Sequence, residues 1–381
     1  MNKTVKLYDV DSFTSEFSAE VLECHKCENG YNVVLSATAF FPEGGGQAGD
    51  RGFIDGIEVL DTQIKDDIIY HICKEPIEAG KTVNAKLDFS RRFAFMQNHS
   101  GEHVISGIIN RLYGFDNVGF HLGEDFATLD FNGLFTPEQL STIEQKANQK
   151  VWDNLEIKAY YPEKEELESL SYRSKKEIDG DIRIVEIENT DICACCAPHV
   201  KHTGQIGLIK FFGSEKMRGG TRIYMKCGAF ALEDCRKKYS SVFAISNLLS
   251  SAADDIVSSV ENLLSKNEAL DAQISQLKQE IINFKLAHIT EQDRCAFIDG
   301  LDMKQVQETA DSLHKTYGGT RAVFSKNGEV YTFSICGTED EVKLVFERFK
   351  GQFSVRGGGR GTMVQGSVSA LENDIKLFFK S

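Results

Sequence analysis

His99-Ser100-Gly101-Glu102-His103 is the stretch on which the reading of this chain turns, together with Cys195-Cys196-Ala197-Pro198-His199 further along. Each run offers two metal-ligating side chains four positions apart. Four residues make about one helical turn, so His99 and His103 project from one helix face. Cys195 and His199 keep the same spacing in a segment that Pro198 holds out of regular helix. Three imidazoles and a thiolate make a tetrahedral zinc set. Taken alone, His99-x-x-Glu102-His103 also fits the H-x-x-E-H of inverted zinc proteases, with Glu102 as general base, but that site needs an acidic third ligand. Cys195 and His199 are the better-spaced partners. Cys193 and Cys196 lie either side of Cys195; Cys195 alone keeps the C-x-x-x-H spacing, and Cys196 is the alternative.

Working outward, Phe93, Met96, Val104, Ile105 and Ile108 suit one helix face. Ser90 is a candidate N-cap and Gly114 a terminator. Residues 118–123 and 127–131 read as a hairpin, and Thr136-Pro137-Glu138-Gln139 starts a helix that runs to about residue 154. A strand at 155–161, a short acidic helix at 163–170 and an alternating strand at 182–187 lead into the second motif. Strands at 208–212 and 221–227, joined through Gly219-Gly220, follow it. Both motifs therefore fall in a mixed α+β core over 91–228.

Residues 1–90 read as a β-rich, barrel-like subdomain. The stretch 31–40 is rich in strand formers. Phe41-Pro42-Glu43-Gly44-Gly45-Gly46-Gln47-Ala48-Gly49-Asp50 follows, either a tight turn or a place where backbone amides approach a substrate. It is no nucleotide fingerprint, having neither G-x-G-x-x-G nor Gly-Lys-Ser/Thr. Cys24-His25-Lys26-Cys27 lacks the second cysteine pair of a structural zinc site and reads as a hairpin carrying two thiols.

From residue 229 to 290 the texture is helical. Ile256, Val260, Leu263, Asn267, Leu270, Ile274, Leu277, Ile281 and Phe284 recur at spacings of four and three, a heptad seam with a polar residue at Asn267. That pattern makes either a coiled-coil dimer or a helical hairpin. Residues 291–381 read as a small α/β domain in which Arg356-Gly357-Gly358-Gly359-Arg360-Gly361 is a loop, either a plain glycine turn or a phosphate-holding one. The fold class is α+β throughout.

The 381 residues suffice for two or three domains, and their formal net charge of −14 argues against indiscriminate nucleic-acid binding. Local basic positions remain at Lys216, Arg218, Arg222 and Lys226, then Arg236, Lys237 and Lys238. No apolar run approaches the ~20 residues of a membrane span, and the N-terminus lacks a signal peptide's apolar core. A cytoplasmic protein with reduced thiols is expected.

Three motifs together resemble one family: Phe41-Pro42-Glu43-Gly44-Gly45-Gly46-Gln47-x-Gly49-Asp50; Arg92-x-x-x-Met96-x-x-His99-x-x-x-His103; and Cys195-x-x-x-His199-Val200-x-x-Thr203-Gly204-x-Ile206-Gly207. They are similar to the editing domain of alanyl-tRNA synthetase and its freestanding AlaX relatives. The helical segment and the Gly357-Gly358-Gly359 domain resemble that enzyme's DHH-associated region. The resemblance implies trans-editing: zinc- and not ATP-dependent hydrolysis of tRNA(Ala) mischarged with serine, or with glycine. It implies Zn2+ on His99, His103, Cys195 and His199. The catalytic candidates are Glu102 as base, His121 near a functional Gln of the synthetase (with Phe120 as the other equivalent), and Gln47 in the Gly motif. Candidate tRNA contacts are Lys216, Arg218, Arg222, Arg356 and Arg360. A homodimer through the helical segment and C-terminal domain is expected, with no membrane partner. Glu102 departs from the family, whose synthetases more often carry Thr there. The competing readings are a non-catalytic tRNA-binding or oligomerisation module with structural zinc, and an inverted zinc protease.

Overall fold

A computed structural model of the chain describes residues 4–174 and 181–380. The chain divides into two compact units, Met1–Ala244 and Ile245–Ser381. In the first, six strands close into a barrel in the order Glu16–Cys27, Gly30–Leu35, Ile68–Cys73, Ile57–Lys65, Gly52–Ile54 and Thr82–Leu87. Alternation drives closure: in Thr82–Leu87 every second residue is buried, and Val33, Leu35, Ile54, Val59 and Val83 fill the interior. Cys24 and Cys27 lie on the first barrel strand, with Cys27 opposite Gly30 at the hairpin.

The helix Phe89–Tyr113 follows the barrel and is buried over most of its length. Its N-cap is Asp88, which accepts from the Arg91 amide, and not Ser90. An aspartate two residues earlier both caps the first free N–H groups and favours the positive helix end. Gly114 ends it in the left-handed conformation with φ 69°. A four-stranded sheet lies against this helix in the order Ile209–Met217, Gly220–Cys227, Ala127–Phe131, Asn117–Leu122, all antiparallel. A three-stranded antiparallel sheet, Ile157–Tyr160, Ile184–Ile187 and Asp191–Ala194, touches it elsewhere. At Gly107 a Cβ would come within 2.3 Å of the Thr190 carbonyl oxygen, so glycine is what lets the helix reach the strand that bears Asp191. Met96, Val104, Ile105, Leu129, Val185, Ile206, Ile223 and Met225 share one core.

The second unit holds the 32-residue helix Ile256–Ala287 and a five-stranded sheet, Cys295–Phe297, Arg321–Asn327, Val330–Cys336, Met363–Ser369 and Ser354–Gly358 in that order. Helices Met303–Tyr317, Glu339–Gln352 and Glu372–Lys380 complete it. Seam residues stay open: Leu263 is 56% exposed, Leu270 54%, Leu277 57% and Phe284 67%. The stretch at 356–361 begins as an edge strand and not as a loop, with Arg356 opposite Ser367 and Gly357 opposite Gly366. Its glycines permit that pairing, because a Cβ on Gly357 would meet the Gln365 oxygen at 2.2 Å. No helix among the described residues is long and apolar enough to cross a membrane.

Candidate metal centre

The helix Phe89–Tyr113 carries His99 and His103 on one face, and their rings stack with centroids 5.7 Å apart. The segment after strand Asp191–Ala194 brings Cys195 and His199 to that face. The ligating atoms of His99, His103, Cys195 and His199 all lie within 4.8 Å of one another. The Cys195 Sγ is 3.5 Å from His99 Nε2 and 3.4 Å from His199 Nε2.

Each histidine is held by its other nitrogen. His99 Nδ1 donates to Gln47 Oε1 at 3.1 Å. His103 Nδ1 donates to Asp191 Oδ2 at 2.9 Å. His199 Nδ1 sits 3.2 Å from Ser100 Oγ. The Nε2 atoms are thereby left for a shared ligand, the arrangement in which an outer partner fixes a metal-bound ring. His103 Nε2 is buried and makes no hydrogen bond among the described residues. That orphaned atom, beside two further imidazole nitrogens and a sulfur, is what a metal ion would satisfy. The donor set suits zinc.

At His199 and Cys195 the electrostatics favour ligation, while at His103 its acidic neighbours favour the protonated ring. Burial pushes His199 down to about 3, so it is neutral at pH 7 and able to ligate. Burial opposes a Cys195 thiolate, but His99 and His199 outweigh it and hold the thiol well below its ordinary value. Burial likewise opposes charge on His103, yet Glu102 and Asp191 hold its pKa well above the usual value. Asp191 is itself depressed: burial raises it, and His103 and Arg173 more than compensate. Arg173 grips both Asp191 oxygens at 2.7 Å.

Glu102 is fully buried beside this cluster. Its Oε1 accepts from Ser106 Oγ and Asn117 Nδ2, both at 2.7 Å, and its Oε2 lies 3.8 Å from His103 Nε2. The Gly-rich loop covers the other side. Asp50 at its end pairs with the fully buried Arg92 of the helix and accepts from the Phe41 amide. At Gly46 (φ 82°) a Cβ would approach the Phe120 oxygen at 2.4 Å, so glycine is required for the loop to lie this close. Gln47 is 1% exposed, and its Nε2 has no hydrogen-bond partner among the described residues. Gln47 and His121 line one cavity of about 340 Å³ with Gly44, Gly46 and Leu122.

Gln47, Glu102 and the four metal-type residues thus come together, and His121 stands exposed at the rim of the Gln47 cavity. Lys216 and Arg218 are exposed at the hairpin between the strands Ile209–Met217 and Gly220–Cys227. Arg222 is bound to Asp130 through two hydrogen bonds of 2.7 and 2.8 Å. Arg356 and Arg360 are exposed in the second unit. Asp191, Arg173, Ser100, Ser106 and Asn117 were missed by sequence reasoning; only the adjacency of Ser100 to His99 could have flagged one of them.

Residues 182–224, which carry Cys195 and His199, match the family described as Threonyl and Alanyl tRNA synthetase second additional domain. Residues 3–91 match tRNA synthetases class II (A). The Alanyl-tRNA editing protein Aarsd1-A of Xenopus laevis is 32% identical over 277 residues, covering 68% of this chain and 67% of that protein. The chain belongs to the alanyl-tRNA editing protein family. Within this family, AlaX-L of Pyrococcus horikoshii is 26% identical over 387 residues, covering 97% of this chain and 96% of its own length. The Alanine--tRNA ligase of Ignicoccus hospitalis is 27% identical over 397 residues, spanning 99% of this chain and 42% of the ligase. Among solved structures, the C-Ala domain of Aquifex aeolicus alanyl-tRNA synthetase matches at 20% identity and a TM-score of 0.20, covering 23% of this chain and 90% of that domain; so slight a likeness places no element.

Proposed function

We propose that this alanyl-tRNA editing family member hydrolyses the ester that joins a wrong amino acid to tRNA(Ala), with serine as the preferred misacyl group and glycine the alternative. The observation that carries the reading is the convergence of His99, His103, Cys195 and His199 beside a Gly-rich loop whose buried Gln47 keeps an unused donor. Those four residues would hold zinc, which would supply Lewis-acid polarisation of an ester carbonyl and lower the pKa of a nearby water. Gln47 Nε2 donates to the substrate's carbonyl or to its amine. Gln47, Asp191 and Ser100 hold the three rings in place. Glu102 takes the proton of the attacking water at Oε2, its other oxygen being pinned by Ser106 and Asn117. His121 stands at the cavity rim, where the tRNA 3′ end enters. Residues 291–381 act as a DHH-associated-like domain, and the open seam of Ile256–Ala287 pairs with a second copy to form a homodimer in the cytoplasm.

A second reading has one observation in its favour. Four protein donors close a tetrahedral set, which is the geometry of a structural zinc site. The protein would then bind tRNA without turnover. A protease reading lacks its acidic third ligand, since Asp191 is engaged by His103 and Arg173. Incubating zinc-loaded protein with Ser-tRNA(Ala), Ala-tRNA(Ala) and a peptide separates the three. Release of serine with alanine spared is expected; an intact Ser-tRNA(Ala) ends the deacylase reading. Glu102→Gln should lower serine release about 100-fold or more while zinc content stays at the wild-type level.

A further inference from the structure

The outer face of the four-stranded sheet carries an aromatic cluster. Phe126, Phe212 and Tyr224 meet at steep angles with ring centroids 5.6, 5.9 and 5.9 Å apart. Phe126 and Phe212 are each 39% exposed. Lys226 Nζ stands 4.9 Å from the centre of the Phe212 ring.

Strand register ties these rings to the cavity. Tyr224 is opposite Thr128, and Thr128 is opposite His121, so the three lie in one row across the face. His121 shares its cavity with Gln47, whose Nε2 is unpartnered. Two strand spacings separate Tyr224 from His121, about 10 Å. That is roughly three stacked-base steps of ~3.4 Å.

The cations on this face are already engaged. Lys226 binds Asp234 at 2.7 Å and Arg222 binds Asp130. What the face offers is ring surface and not free charge, which fits the −14 net charge of the chain. Unpaired bases are the ligand chemistry that ring surface recognises, because every base has a π-face and stacking needs no particular sequence.

We propose that Phe126, Phe212 and Tyr224 form a stacking platform for the unpaired 3′-terminal nucleotides of the aminoacylated RNA, delivering its terminal ester past His121 to Gln47. The inference rests on the deacylase reading of that cavity. The test compares wild type with the Phe126→Ala/Phe212→Ala double variant and a Phe126→Trp/Phe212→Trp control that keeps stacking. Binding is read by fluorescence anisotropy on two RNA hairpins, one with a four-nucleotide 3′ overhang and one blunt. Thermal unfolding checks that each variant is folded.

The alanine double variant is expected to bind the overhang hairpin about tenfold more weakly, with the blunt hairpin unchanged and the tryptophan variant near wild type. For Ser-tRNA(Ala) its KM should rise by a similar factor at constant kcat. Equal overhang binding by the wild type and the folded alanine variant overturns the platform, as does a wild type that binds both hairpins alike. Should the wild type release no serine while the alanine variant still loses overhang binding, the deacylase reading falls and the platform stands.

Discussion

Two buried histidine environments in the same unit differ in how their ring nitrogens are used. His71 lies fully buried inside the barrel. Its Nδ1 donates to the Val33 carbonyl at 3.0 Å and its Nε2 accepts from Thr38 Oγ1 at 2.8 Å. His99, His103 and His199 are almost as buried, at 1%, 1% and 3% exposure. Each of them has a protein partner on Nδ1 and leaves Nε2 beside its neighbours and the Cys195 sulfur. Burial alone therefore does not separate a packed histidine from a ligating one. The accounting of both nitrogens does, because a buried polar atom without a partner costs free energy that only a further ligand recovers.

Cys195→Ala should break the contrast most severely. It leaves three nitrogens with no anionic donor, and metal affinity should fall by more than the ~100-fold that outer partners supply. Chelator competition with a chromophoric zinc indicator reads this, and serine release should fall with it.

His71 predicts a pH effect on the stability of the barrel. Burial lowers its pKa to about 4 from the ordinary 6.5, with the Val33 bond opposing only in part. The unfolded chain takes up a proton below pH ~6.5 that the barrel refuses until about pH 4. More protons bound by the unfolded state means stability falls as pH falls across this window, by roughly 3 kcal/mol in all. Denaturant unfolding of wild type and His71→Gln between pH 7 and 4 isolates the contribution. A wild-type slope that matches the variant's would show that His71 is not held neutral.

Asp191→Asn sharpens the comparison at the second layer. His103 loses its anionic orienting partner while the four donors remain, so zinc affinity should drop about 10- to 100-fold with unchanged stoichiometry. The same variant should leave the His71-dependent pH slope untouched. Arg222→Ala gives the smallest effect. Its guanidinium is engaged by Asp130, a surface pair, so affinity for tRNA should change less than about twofold. A loss of tenfold would return Arg222 to the RNA contacts.

Much of this is legible in the sequence. The i, i+4 histidines sit on a real helix because Met96, Val104, Ile105 and Ile108 give it a buried face. Thr136 and Gln139 form the capping box that their types announce, with Pro137 at the first helical position. The mixed α+β class follows from the alternation of 3.6- and 2-residue patterns. The rest depends on long-range geometry. Gln47 reaches His99 only because Asp50 and Arg92 pin the loop to the helix. Asp191 is recognisable as a partner of His103 only after Gly107 lets the helix meet its strand. The edge strand at Ser354–Gly358 looks like a loop in sequence because glycine disfavours strands, and only its partner at Gln365 and Gly366 makes it one. Phe126, Phe212 and Tyr224 come from three separate strand regions, so no local pattern unites them.

The most direct measurement of the shared site is zinc K-edge X-ray absorption on protein reconstituted with one equivalent of the metal. The expected shell is three nitrogens at about 2.0–2.1 Å and one sulfur at about 2.3 Å. A shell of nitrogen and oxygen alone, or one with two sulfurs, would contradict the assignment of His99, His103, Cys195 and His199 as the set.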